Sequence, residues 1–471
     1  MHMPPSEARD QAGARLFVLA MLAVFLLLAA YLGTHASARD LEVIGAPVAV
    51  LMLVQAPELG LLALPVAAVA IPVYLGTGTQ TFLPLVFLMM PLVLLMWVMV
   101  ALRRREPLAA PSVLNAPVLV FVLVCAVALL AGGIRWNYLA SLASFPAQLG
   151  GWSIYVTSAV LLLEVGNLIK DTRWLRWCTW LFLACGCLIV LGRCIPPVGS
   201  LTVKLEGTSH IGDDTGSLFW VWLVALAGGQ ALNRDLPGVR RLAFAGLALA
   251  TLCYGWRFAL TWDSGFIPPL VALLALLWLR AWKLGAAITL IGLGVVLFLR
   301  PDMPGQLAGA KEWDIVTRTA AYQVLVEHVL PLNPVLGLGF SNYWHYASLY
   351  PIMGYAVEFN SHDQYLDIVL QTGFVGGATF LWLMEALAWL GLRLRGRLTD
   401  GFAQGYVDAC LAGLAGSLAA GFLGDWFLPF VYNIGIGGFR SSMLGWFFLG
   451  GLVAIEQMTR RAGGESPRAE R

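Results

Sequence analysis

Apolar runs long enough to cross a bilayer follow one another almost without pause along this chain, broken only by short stretches that collect the charges and turn residues. A spanning helix needs about 20 mostly apolar residues. Cutting the sequence at charged or Pro/Gly-rich breaks leaves fourteen such runs, near 16–33, 41–56, 60–76, 80–102, 113–133, 151–169, 174–193, 215–233, 242–260, 264–280, 283–299, 363–391, 404–424 and 439–457. The second and third are short and separated only by Pro57 to Gly60, so they also read as a re-entrant pair, which would leave twelve spans. Charged residues make up 12% of the 471 positions, against about 25% in a soluble domain. The chain lacks the charge to coat a water-facing surface and is expected to be an all-α polytopic membrane protein with about 12–14 transmembrane helices.

Sidedness follows from Lys and Arg, because positive loops stay in the cytoplasm. With the N-terminus inside, the inner segments hold Arg9, Arg15, Arg103 to Arg105, Lys170, Arg173, Arg176, Arg234, Arg240, Arg241, Arg280, Lys283, Arg393, Arg395, Arg397, Arg460, Arg461, Arg468 and Arg471, which is 20 of the 29 basic residues. Both termini are therefore expected in the cytoplasm. A cleaved signal peptide is the competing reading of the start, since Arg15, an apolar run and Ala36-Ser37-Ala38 follow in order. The apolar core of about 17 residues exceeds the 7–15 of a cleaved signal, and cleavage would leave the later topology unchanged.

One substantial polar insert interrupts the series, about Arg300 to Ser361, on the outer face. The expected organisation is 1–299 N-terminal transmembrane helices, 300–362 a large outer-face loop between the eleventh and twelfth spans, 363–457 C-terminal transmembrane helices, and 458–471 a disordered cytoplasmic tail. Loops on a rigid scaffold are where function concentrates. No low-complexity segment or fixed-period repeat stands out. A net charge of +2 leaves no excess to neutralise a nucleic-acid backbone, so nucleic acid is excluded as a partner. The seven cysteines sit mostly in apolar runs without metal-ligand spacing and read as small core hydrophobes.

Charge is nearly absent from the span centres; Glu164, Glu385 and Asp408 lie toward the inner ends. A proton-coupled transporter would want acids near the midplane, so a transporter is the weaker reading. The outer edge differs: Arg193, Arg257, Arg318 and Arg440 all fall there against the positive-inside trend. Each has an ordinary explanation as an interfacial arginine on lipid phosphate or a nearby carboxylate, such as Arg257 with Asp263 or Arg440 with Asp425. Together they suggest an anion held at the outer leaflet, because guanidinium forks match phosphate.

Three stretches in the insert sharpen this. Arg318 opens an amphipathic helix with Ala321, Val324, Leu325 and His328 at helical spacing; Pro331 to Phe340 (PLNPVLGLGF) stops it in a glycine-bearing turn; Asn360-Ser361-His362-Asp363-Gln364-Tyr365-Leu366 runs into the next span. Asn360 or Ser361 is expected to cap that helix, with His362 in its first turn, where the helix dipole would favour the neutral imidazole. The insert's aromatics (Trp313, Tyr322, Tyr343, Trp344, Tyr346, Tyr350, Tyr355) suit either sugar stacking or an interfacial belt. His210, Lys204 and His345 are secondary candidates.

Arg318, NPVLGLGF and NSHDQYLDIVLQTGFVGG together resemble the signature of the O-antigen ligase and polymerase superfamily, over about Arg318 to Gly377. The family's span-end Ser-Arg-Gly element is matched only by Trp256-Arg257-Phe258, and Asp363 stands where the family usually has Asn. The resemblance implies an inner-membrane glycosyltransferase of lipopolysaccharide or exopolysaccharide biosynthesis. Such an enzyme moves a glycan from an undecaprenyl-diphosphate carrier to an acceptor on the periplasmic side, either the lipid A core or a second lipid-linked glycan. It implies His362, Arg318 and Arg257 as catalytic residues and the 300–362 loop as a periplasmic catalytic loop. Arg193, Lys204, Arg440, Asn360 and Tyr365 are the candidate diphosphate or substrate contacts. No acidic or His/Cys cluster suggests a metal, so a metal-independent, cofactor-free enzyme is expected. A lipid-linked-oligosaccharide flippase is the alternative.

Overall fold

The computed structural model describes residues 57–76, 82–195, 198–199, 216–258, 262–294 and 312–462, the side chains of 257–258, 292–293 and 312–315 excepted. The expected runs at 16–33 and 41–56 lie outside the described residues. The remaining runs form helices: α1 (Pro57–Ala70), α2 (Leu85–Arg104), α3 (Asn115–Ala131), α4 (Phe145–Leu168), α5 (Thr172–Cys194), α6 (Gly216–Ala231), α7 (Gly238–Phe258), α8 (Asp263–Arg280) and α9 (Trp282–Gly294). The loop contributes α10 (Glu312–Val324) and the short α11 (Tyr343–Ala347), and the chain closes with α12 (Gln364–Arg395), α13 (Phe402–Leu423) and α14 (Phe439–Ala462). One small antiparallel pair, β1 (Tyr74–Gly76) and β2 (Phe82–Pro84), joins α1 to α2, with Leu75 opposite Leu83.

Seven of these helices, α2, α4, α5, α8, α12, α13 and the one ending at Ala462, are long and apolar enough to cross a membrane, and shorter apolar helices such as α3 and α6 stand among them. The long helix α7 carries Arg240, Arg241 and Arg257 and is less apolar. The most enclosed elements are α6, apolar on every side as a helix at the centre of a membrane bundle is, and α14, whose polar residues lie at its two ends; both are buried along almost their whole length. Helix α14 packs on α4 and α6, and α6 on α7, α8 and α13. Without a hydrophobic drive between helices in lipid, small residues that admit close approach hold such contacts. At the α6–α13 crossing a Cβ on Gly229 would lie 2.3 Å from the Gly405 carbonyl oxygen, so no larger residue fits there.

Side-chain bonds show which helix ends meet. At one end, Arg280 and Arg395 flank the buried Asp408, and Asp400 takes Arg234 and Arg280. Ser112 donates to Glu456 there, and Ala110 N–H to Asn167. Arg234, Arg280, Arg395 and Arg460, read as inner from sequence, are thus gathered at one end. The last helix runs to Ala462, further than expected from sequence, because Arg460 pairs with Glu456 one turn back and donates to the Pro111 carbonyl. At the opposite end, Arg193 in the last turn of α5 meets Tyr254 of α7, and Trp262 ahead of α8 packs on Trp426 beyond α13. The loop between α9 and α12 lies at this second end.

Leu325, Val329, Leu338, Tyr343, Tyr346 and Ala347 of that loop form a small core with Ala140 of the α3–α4 connection, Leu370 of α12 and Phe430 of the α13–α14 connection. Asn342 ties it to the α3–α4 connection by donating to the Gly132 carbonyl at 2.9 Å and accepting from Ala143 N–H at 2.8 Å. The Tyr346 hydroxyl accepts from Trp136 N–H.

Candidate functional site

The glycine-bearing turn after Pro334 and the start of α12 are one structural unit. Helix α12 is interrupted at Gly373 (φ 70°, ψ −178°), which frees backbone groups on both sides of the break. The turn takes them up: Leu338 N–H donates to Leu370 O at 2.9 Å and Gly339 N–H to Gln371 O at 3.1 Å. In return Phe374 N–H donates to Pro334 O at 2.8 Å. Buried backbone polar groups must be paired, at about 1–3 kcal/mol for each one left open, so the two segments fold together or not at all. The contact is backbone to backbone. A Cβ on Gly373 would lie 2.0 Å from Val335 O, and one on Gly337 2.5 Å from the Gln371 carbonyl. Gln371 completes the unit by accepting from Ser341 N–H and donating to the Tyr155 hydroxyl of α4.

The turn entering α12 differs from the expectation. Neither Asn360 nor Ser361 is the cap: Asp363 is, accepting from Tyr365 and Leu366 N–H at 2.8 and 3.0 Å. An Asp side chain reaches the first free amides as well as Asn or Ser does, so the residue that departs from the family pattern takes this role. His362 therefore sits ahead of the helix and not in its first turn, and its backbone is left-handed (φ 50°). Burial raises the Asp363 carboxyl above the usual range, while the two amides act the other way.

Beneath this turn lies a set of buried polar groups. Asp367 accepts from the hydroxyls of Tyr343 and Ser361. Asp425, in the α13–α14 connection, accepts from Phe430 N–H at 2.7 Å, Asn433 at 2.6 Å and Asn360 at 3.4 Å. The two carboxylates feel each other's charge. Burial pushes the Asp425 carboxyl up, with the donated hydrogen bonds pulling it part of the way back. The Tyr343 hydroxyl is raised by burial and by the charge of Asp367.

Helix α10 begins before Arg318, which stands mid-helix, half-buried. Its expected inner face holds at Ala321 and Leu325, both buried, whereas His328 is exposed and stacks on Tyr350 with ring centroids 4.8 Å apart. Tyr322, the next residue but three after Arg318, has its hydroxyl pushed up to about 12 by burial first and then by the charge of Asp363, with Arg318 acting the other way. Both the Arg318 charge and that of the cap beside His362 act on this one hydroxyl.

The other candidates are distributed around the same end. Arg193 donates to the Tyr254 hydroxyl at 3.3 Å and lies over the rings of Trp220 and Tyr254. Those rings, with Trp262 and Phe266, line a small cavity between α6, α7 and α8. Arg257 occupies the last turn of α7, one turn on from Tyr254. Arg440 is buried and donates to the carbonyls of Ala68 and Val69 at the end of α1 and to the Tyr74 hydroxyl. A guanidinium there satisfies carbonyls the helix end leaves open. Asn360 donates to Asp425, and the Tyr365 hydroxyl donates to Leu418 O at 2.8 Å. His345 Nδ1 lies 2.7 Å from Glu358, which also accepts from Trp344. Lys204 and His210 lie outside the described residues. Sequence reading named Tyr322 and Tyr343 only as aromatics of the insert and missed Asp367, although an acid at the mouth of an apolar run was a legible signal.

Residues 238–381, from the start of α7 to the middle of α12, match the family described as O-antigen ligase. The matched stretch contains Arg257, Arg318 and His362 together with the whole interlocked turn. No curated protein matches the chain.

Proposed function

We propose that this chain, whose residues 238–381 match the family described as O-antigen ligase, is a multi-pass membrane protein of the O-antigen ligase and polymerase superfamily that transfers a glycan from an undecaprenyl-diphosphate carrier to an acceptor hydroxyl at the periplasmic face of the inner membrane. The carrier's polyprenyl chain stays in the bilayer while its diphosphate rests at the surface, so the site has to join apolar helices to a wet loop. The supporting observation is the matched stretch itself, which carries Arg257, Arg318 and His362 on α7, on α10 and in the turn entering α12.

In this reading the acceptor oxygen attacks the anomeric carbon of the donor sugar. The bond from that carbon to the diphosphate oxygen breaks, and undecaprenyl diphosphate leaves with the electron pair. The proton of the acceptor hydroxyl passes to the His362 imidazole, which must lie within hydrogen-bond reach of it. Arg318 and Arg257, with Arg193 nearby, hold the diphosphate where its charge grows in the transition state. Arg440, Asn360 and Tyr365 shape the rim of the site through bonds to the chain. Inversion at the anomeric carbon follows from a single displacement.

The test replaces His362 by Ala and Arg318 by Lys in cells lacking the native copy. Both are expected to abolish transfer and strand glycan on the lipid carrier, the lysine because it cannot form a bidentate fork. Full activity in His362→Ala overturns the mechanism; substrate moved across the membrane but not covalently changed would favour a flippase. Chelation of divalent cations is expected to leave the rate unaltered. Deleting the gene identifies the acceptor. Loss of every lipopolysaccharide band above the lipid A core marks a ligase, a single-repeat band an O-antigen polymerase, and loss of secreted polymer alone an exopolysaccharide polymerase.

A further inference from the structure

Asp367 is fully buried one turn inside α12, and its role is not that of a cap, since Asp363 already serves the free amides. Its Oδ1 takes two hydroxyl donors, Tyr343 from α11 and Ser361 at 2.7 Å, and Ser361 N–H in turn donates to the Tyr343 hydroxyl at 3.4 Å. The three buried residues close a triangle of hydrogen bonds, one leg of it through the Ser361 backbone, and the Ser361 hydroxyl also lies 2.8 Å from the Asp363 carbonyl oxygen. Its other oxygen, Oδ2, is buried with no hydrogen-bond partner among the described residues. Burying a carboxylate on such terms is costly, and an apolar residue of similar size would serve packing better.

The residue next to this triangle is His362. Non-glycine residues persist in left-handed backbone only where the surroundings over-determine them. Ser361 on one side is bound to Asp367; its Oγ also lies 3.0 Å from Asp363 N, which spans the histidine from behind. The backbone on both sides of His362 is thus referred to a single side chain anchored on the rigid helix.

We infer that Asp367, acting with Tyr343 through Ser361, is the positioning group that fixes the backbone of His362 and so aims its imidazole at the acceptor. The inference rests on the reading of His362 given under Proposed function. Asp367 itself touches no substrate. The requirement is for an accepting oxygen at the Oδ1 position, not for the negative charge.

The experiment measures donor KM and kcat per folded protein, with folding followed by size-exclusion profile, in purified variants. Asp367→Leu is expected to lower kcat by about 30-fold or more with KM within about threefold, since a displacement of about 1 Å costs on the order of a hundredfold. Asp367→Asn, which keeps an accepting oxygen, is expected to recover most of that loss. Tyr343→Phe and Ser361→Ala each remove one donor, are expected to lower kcat about five- to tenfold, and decide the matter if the leucine variant does not fold. Wild-type kcat in Asp367→Leu, or in both single-donor variants, overturns the inference; so does Asp367→Asn as inactive as Asp367→Leu. If His362→Ala is itself fully active, the mechanism fails first, and that outcome is separate from an inactive His362→Ala with unaffected Asp367 variants.

Discussion

At φ 50° His362 occupies backbone space that glycine enters freely and other L residues enter at roughly 1–2 kcal/mol. Replacing it with glycine separates conformation from chemistry: His362→Gly should unfold no more easily than His362→Ala, and by about 1 kcal/mol less easily, while both lack transferase activity. Thermal unfolding in detergent beside a transfer assay checks this. Asp425 permits a second prediction. Its folded-state carboxyl is raised by burial, so the protonated form is favoured by folding. The stability tied to that proton is fully present below the unfolded carboxyl value and is lost as pH rises through the folded value. Wild type should therefore gain thermal stability relative to Asp425→Asn as pH falls from neutral toward the unfolded carboxyl value; a constant difference would contradict it. At this scale the sequence made His362 and Arg318 visible by residue type and motif. It did not reveal that Asp363 caps α12, because capping depends on the backbone angle at one residue, and three neighbouring polar residues were all competent for it.

Among the elements, the break in α12 matters most for the site. A helix interrupted inside a membrane bundle is tolerated where other backbone re-satisfies the freed groups, and here the Pro334–Gly339 turn does so. Gly373→Ala would place a methyl 2.0 Å from a carbonyl oxygen at a left-handed position. A cost of roughly 3 kcal/mol or more is expected, read as easier proteolysis between residues 325 and 363 and loss of activity together. Arg440 gives the contrasting case. Because its guanidinium serves carbonyls at the end of α1, Arg440→Ala is expected to cost about 2–4 kcal/mol of stability and to leave donor KM within about threefold. A large rise in KM at unchanged stability would instead assign Arg440 to the diphosphate. The helices were legible as runs of apolar residues. The interlocking of the glycine turn with α12 was not, since it joins groups some 35 residues apart in sequence through main-chain atoms that no residue type marks.

For the whole molecule, Arg234, Arg280, Arg395 and Arg460, read as inner from sequence, gather at the end marked by Asp400, Asp408 and Glu456, opposite the described part of the loop. Sidedness is checked with one cysteine at Glu358 and another at Arg397, each in a chain without its seven own cysteines. An impermeant maleimide applied to spheroplasts should label the first at once and the second only after permeabilisation; the reverse pattern inverts the topology. Residue type and order alone gave the series of apolar helices, the common end of Arg234, Arg280, Arg395 and Arg460, and the segment that resembles the O-antigen ligase family, because the bilayer imposes run length and charge placement on the sequence directly. Only the tertiary structure decided what surrounds His362. The carboxylate of Asp367, the cap at Asp363 and the broken helix acquire their roles from partners brought close by packing, and hydrogen bonds between such partners leave no periodicity to read.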